Sequence, residues 1–105
     1  MTDIATLNDT FRKTLSGGRV MLTAGINALP ADDVVQILSH VRSFNDFTPD
    51  NDPYGEHDFF SFDYKGNTIF CKIDYYDRNL QYLSEDPVDI SKTIRVMTVM
   101  LADEY

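Results

Sequence analysis

Apolar and polar positions alternate along this chain with two distinct periods, and the change between them marks out the elements. Ile4, Leu7, Phe11 and Leu15 recur at helical spacing. That spacing predicts an amphipathic helix over 3–15, with Asp3 or Thr2 as its N-cap and Gly17 as the glycine past its end. Gly17-Gly18 breaks the pattern, and the short, partly β-branched run RVMLTAGI over 19–26 reads as a buried strand. Leu29-Pro30 opens a second helix, where Asp32 and Asp33 suit the positive end of the helix dipole. Its apolar face is Val34, Ile37, Leu38, Val41 and Phe44.

The period then shortens to two. Phe60, Phe62 and Tyr64 alternate against Phe59, Ser61 and Asp63. After the turn Lys65-Gly66-Asn67, Ile69, Cys71, Ile73 and Tyr75 alternate against Phe70, Lys72, Asp74 and Tyr76, which together predict a β-hairpin. The final apolar stretch fits two periods: Ile90, Ile94, Met97 and Leu101 suit a helix, whereas the β-branched content of 93–99 suits a strand. A strand over 94–101 is the favoured reading. Polar connections over 45–57 and 77–89 carry proline and Asx residues that favour turns. The whole predicts one α+β domain over 1–105. Its sheet is small, mainly antiparallel and of about four strands, two helices pack on one of its faces, and the order is helix, strand, helix, hairpin, strand.

Composition changes this picture in one respect, the placement of charge. The net charge is −8, and between Asp46 and Asp89 eleven carboxylates face only Lys65, Lys72 and Arg78, so the excess is regional. Phe59, Phe60, Phe62, Tyr64, Phe70, Tyr75 and Tyr76 in the same window read as strand formers and distinguish it from a flexible acidic tail. Phosphate backbones are bound through Lys and Arg that displace counterions, so direct nucleic-acid binding is disfavoured and a basic protein or nucleoprotein surface is the expected partner. A single cysteine allows no internal disulfide. The N-terminus MTDIATLND has no basic segment followed by an apolar core, and no apolar run approaches the length that spans a bilayer. A soluble cytoplasmic protein with no membrane contact is the expectation.

Candidate chemistry is sparse. Asp50, Asp52, Glu56, His57 and Asp58 offer five oxygen or nitrogen ligands within nine residues. A calcium loop would begin D-x-D with glycine sixth, as Asp50, Asp52 and Gly55 do, but Tyr54 stands fifth, Ser61 twelfth and Pro53 stiffens the fourth position. An ordered Asx-turn loop is favoured; a small divalent-metal module or metal-dependent enzyme using this loop is the alternative. Zinc spacings are absent. Alternation places Cys71 beside Ile69 and Ile73, which makes it a structural thiol rather than a nucleophile served by His57, and His40 lies off its helix stripe. No residue is assigned to catalysis and no cofactor is expected.

The most interaction-like feature is Tyr75-Tyr76 between Asp74 and Asp77, where one ring points inward and the other out. The expected partner-binding residues are Asp58, Asp63, Tyr64, Asp74, Tyr76 and Asp77.

The segments LNDTFRKTLSGGRVMLTAGI, LPADDVVQILSHVRSFNDFTPDNDPYGEHDF, KIDYYD and TIRVMTVMLADEY resemble an uncharacterised family of short bacterial proteins, a domain of unknown function found in proteobacterial genomes and on plasmids and phages. Phe60 departs from the family pattern, which favours a small residue after Asp-Phe. The resemblance implies no catalytic residue. Its mobile-element setting implies a role in conflict with host defence, in the specific form of an anti-CRISPR or anti-restriction inhibitor that mimics nucleic acid and occupies the basic groove of a CRISPR effector or restriction enzyme. A homo-oligomer with an aromatic self-interface is a further possibility.

Overall fold

The structure, a computed structural model, describes residues 3–105. Helix α1 spans Ile4–Thr14. Asp3 caps it by accepting a hydrogen bond from the Thr6 amide at 2.8 Å. That bond holds the Asp3 carboxyl below the usual carboxylate range. The alternative cap, Thr2, lies outside the described residues. The helix ends at Thr14, one residue earlier than expected, and Leu15 rather than Gly17 is its C-cap, left-handed at φ 56° with its amide donating to the Phe11 carbonyl. Gly18 then meets a different constraint. A Cβ there would lie 2.5 Å from the Arg95 carbonyl oxygen and 2.9 Å from the Phe11 ring, so the close approach of helix and strand needs glycine.

Strand β1 is Gly18–Leu22. The strand expected over 19–26 stops there, and Ala24–Asn27 forms a short helix, α2. The cause is remote in sequence. Glu104, in a 3-10 turn over Ala102–Glu104, accepts from the Gly25 amide at 2.9 Å and from the Thr23 hydroxyl at 2.6 Å. These bonds satisfy orphan donors at the helix start, hold the Glu104 carboxyl below its ordinary range, and leave Ile26 fully buried. Helix α3, Ala31–Ser43, follows from Pro30, whose carbonyl accepts from Asp33 and Val34.

Strands β2 (Phe59–Tyr64) and β3 (Asn67–Tyr76) form the expected hairpin, closed by Lys65 and Gly66 at φ 47° and 82°. Positive φ at both central residues is the type I′ arrangement, whose twist matches that of the strands. Strand β4, Ile94–Leu101, has the bounds of the favoured strand reading.

The sheet order is β1-β4-β3-β2. The expected sheet was mainly antiparallel, and β2–β3 and β3–β4 are antiparallel while β1 pairs with β4 in parallel. The sheet is therefore mixed and mostly antiparallel, and the described helices number three rather than two. Register aligns Phe60 with Cys71, Cys71 with Val99 and Ile73 with Met97, so these side chains share one side. They form a single cluster with Phe11, Ile26, Ile37 and Val41. Burial pushes the Cys71 thiol up to about 12, as befits an inert structural cysteine. Among the described residues, no helix is long and apolar enough to cross a membrane.

Candidate functional site

Three charged or amide side chains on and beside α1 are turned inward, and they organise the polar end of the core. Asn8 is fully buried. Its Nδ2 donates to the Glu56 carbonyl at 2.9 Å and to the Tyr75 hydroxyl at 2.8 Å, while its Oδ1 accepts from Arg95 Nε at 2.8 Å. The Tyr75 hydroxyl donates onward to Asp58 at 3.0 Å. Burial is the main reason that the Tyr75 phenol is strongly raised and stays neutral. Arg95 also donates to the Pro87 carbonyl at 2.7 Å and stacks over the Tyr75 ring. One helix residue thus ties the 45–58 loop, β3 and β4 together.

A second chain runs alongside. Arg12, also buried, donates to the Val41 and Arg42 carbonyls near the end of α3 and to Asp9 at 2.8 Å. Asp9 also meets His57 Nδ1 at 3.0 Å, and Asp52 lies 3.6 Å from His57 Nε2. His57 has φ 57° and stacks on Phe47 at 4.0 Å between ring centroids, nearly parallel. An imidazole gripped by two carboxylates and a ring fastens its loop. Among the described residues its ring nitrogens meet these two carboxylates and no hydroxyl or thiol.

The five loop residues read as possible metal ligands are used separately. Asp50 is exposed. Asp52 faces His57 and the His57 amide, the Glu56 backbone serves Asn8, and Asp58 serves Tyr75. Among the described residues, no three His, Cys, Asp or Glu side chains form a group able to hold a metal ion. Glu56 is the strained member of this set. Its carboxyl is held above its ordinary range, first by burial and then by the charges of Asp58 and Asp52. A raised folded-state value means that the folded protein binds the proton more readily than the unfolded chain. The associated stability is present below the unfolded value near 4.5 and is lost as pH rises through the folded value. Glu56→Gln is therefore expected to raise the thermal midpoint at neutral pH, with the gain shrinking as acid is added; a gain independent of pH would refute the electrostatic cause.

The six expected partner-binding residues are not gathered on one surface. Tyr64 donates to Asp33 at 2.7 Å, beside Lys65 on the same carboxylate at 2.9 Å. The Lys65 bond and then the Tyr64 bond hold Asp33 low. Asp58 is engaged with Tyr75, and Asp77 accepts from the Asn79 and Gln81 amides at 3.1 Å. Asp63, Asp74 and Tyr76 lie on the sheet side opposite the core cluster. Asp63 faces Thr68, six residues from Asp74 on β3, or about 20 Å along the strand.

The surface that does stand out is the connection over 77–93, which composition alone did not single out. Tyr82, Leu83 and Ile90 are each at least two-thirds exposed, at 73%, 74% and 67%, and Leu80 and Val88 are partly so. The segment is nonetheless firmly built. Asp77 donates its amide to the Tyr82 carbonyl, and Ser84 returns to the Tyr75 carbonyl. The Asp86 amide donates to the Ser84 hydroxyl, that hydroxyl meets Thr93 Oγ1 at 2.6 Å, and Thr93 donates back to the Asp86 carbonyl. Asp89 closes the next turn on Ser91, which holds its own carboxyl low. Five carboxylates (Asp74, Asp77, Glu85, Asp86, Asp89) and two cations (Arg78, Lys92) accompany these apolar groups between 74 and 92.

A family model described as protein of unknown function (DUF3768) matches residues 22–104. No curated protein and no solved structure matches the chain.

Proposed function

We propose that this chain, which belongs to the DUF3768 family of proteins of unknown function, is a non-enzymatic interaction protein whose recognition surface is the 77–93 connection. The observation that carries this reading is Tyr82, Leu83 and Ile90 held outward by a segment whose own backbone is fastened at both ends. Long connections without regular structure in a compact domain are commonly functional, and large exposed apolar groups on a pre-ordered loop lower the ordering cost of association. The carboxylates around them select a basic partner and repel a phosphate backbone. In its narrower form the partner is a nucleic-acid-binding enzyme of the CRISPR-effector or restriction class, whose groove the acidic rim occupies in place of phosphates.

Affinity capture from a bacterial host, repeated with the double variant Tyr82→Ala with Leu83→Ala and with Glu85→Lys, tests the proposal. All three side chains are largely exposed, so the fold is retained. The apolar variant is expected to weaken capture at least tenfold, and Glu85→Lys to weaken it most at low salt. The narrower form also requires duplex DNA to compete for the captured protein. Capture indifferent to both variants excludes this surface, and self-association alone points to a homo-oligomer.

A further inference from the structure

Three of the five arginines line two adjoining clefts that no carboxylate lines. Arg78 and Arg95 line a cleft of about 290 Å³ with Leu7, Phe11, Ser16 and Ile90. Arg19 and Arg78 line an adjoining cleft across Gly17 and Gly18. The chain carries seventeen acidic residues, yet neither wall contains one. Both clefts are thus lined by cations and uncharged groups alone, in a chain whose net charge is −8.

The guanidiniums also have capacity to spare. The ion pairs among the described residues use Arg12, His57, Lys65, Lys72 and Lys92, and leave out Arg19, Arg78 and Arg95. Arg78 holds only a contact of 3.5 Å to the Ile90 carbonyl, at the limit of a hydrogen bond. Arg95 uses Nε and Nη2 on Asn8 and Pro87, and its remaining nitrogen is not among the sealed, unpartnered atoms. On its other side Arg78 borders Asp77 and Glu85, but the Asn79 and Gln81 amides hold the first and Lys92 the second. The remaining wall combines the apolar side chains of Leu7, Phe11 and Ile90 with the uncharged Thr10, Ser16, Gly17 and Thr93.

We propose that this cleft is a binding site for a small amphipathic anion, a single carboxylate or phosphate group on a compact apolar body. The headgroup sits between Arg78 and Arg95, and the body lies against Leu7, Phe11 and Ile90. Planar guanidiniums suit forked bonding to either oxyanion, and a mostly apolar cleft with a few convergent polar groups is the usual form of a small-ligand site. This site does not rest on the protein-binding reading above, although Arg78 and Ile90 border both.

The test is a titration of the full chain, followed by amide NMR, with phenyl phosphate, benzoate, inorganic phosphate and the neutral benzyl alcohol. Phenyl phosphate or benzoate is expected to give saturable shifts centred on Gly17, Gly18 and Thr93, at least tenfold tighter than inorganic phosphate or benzyl alcohol. Arg78→Gln, at an exposed side chain, is expected to weaken the anions roughly tenfold and leave benzyl alcohol unchanged. Ile90→Ser is expected to remove most of the advantage of phenyl phosphate over inorganic phosphate. The proposal is overturned by absence of saturable shifts in the millimolar range, by equal anion binding in Arg78→Gln, or by inorganic phosphate binding as tightly as phenyl phosphate.

Discussion

Asn8→Ala is expected to lower the unfolding free energy by about 3 kcal/mol or more, because it removes one side chain and strands three partners. The Glu56 carbonyl, the Tyr75 hydroxyl and Arg95 Nε each lose a bond around the fully buried Asn8, although Tyr75 keeps its bond to Asp58. Each orphaned group costs roughly 1–3 kcal/mol, and the charged one lies at the upper end. Domains of this size hold only about 5–15 kcal/mol in total, so the variant gives up a large share. Urea unfolding at neutral pH measures the loss. Asn8→Leu separates hydrogen bonding from volume: it fills the space without serving any partner, and should be about as damaging. Recovery of stability in Asn8→Leu would show that packing, not the polar network, is what Asn8 supplies.

Arg12→Ala is the second large effect, about 3–5 kcal/mol, the range for removing one member of a buried charged arrangement. The guanidinium is 1% exposed and sits 5.5 Å from the centroids of both Phe47 and Phe60. Its Nη1 satisfies two carbonyls near the end of α3, and Nη2 binds Asp9, which in turn holds His57. The loss therefore spreads from the packing of α1 against α3 to the 45–58 loop. Arg12→Lys keeps the charge but cannot fork between α3 and Asp9, and is expected to recover less than half of the loss. A thermal melt decides it: near wild-type stability in Arg12→Lys would mean that charge alone is sufficient there.

Both residues were hidden in the amphipathic stripe of α1. Ile4, Leu7, Phe11 and Leu15 describe the apolar side of that helix, and a polar side chain next to it reads as solvent-facing. The signal available was the spacing itself: Asn8 and Arg12 lie four apart, each one position after a stripe residue, and so fall within the buried arc. The separate bonding of the acidic hairpin residues was not legible for a related reason. Alternation correctly separates inward from outward residues on one strand, but it does not say whether Tyr64 meets Asp33 or Asp58 meets Tyr75. The 77–93 surface carries no sequence signal because its apolar residues have no period, and exposure there depends on what the rest of the chain leaves uncovered.

What the sequence by itself determined were the elements whose cause is local: α1 and α3 from their 3.6-residue period, the hairpin from alternation and a Lys-Gly turn, and β4 from its β-branched run. The placement of negative charge after residue 45 was equally legible. Tertiary structure alone decided features whose partners are far apart along the chain. Glu104 caps α2 across 79 residues and ends β1, β1 joins β4 in parallel, and Asn8 meets Arg95 across 87 residues. Such contacts carry the energy that turns a polar side chain inward, and no window of sequence short enough to show a period contains both ends of them.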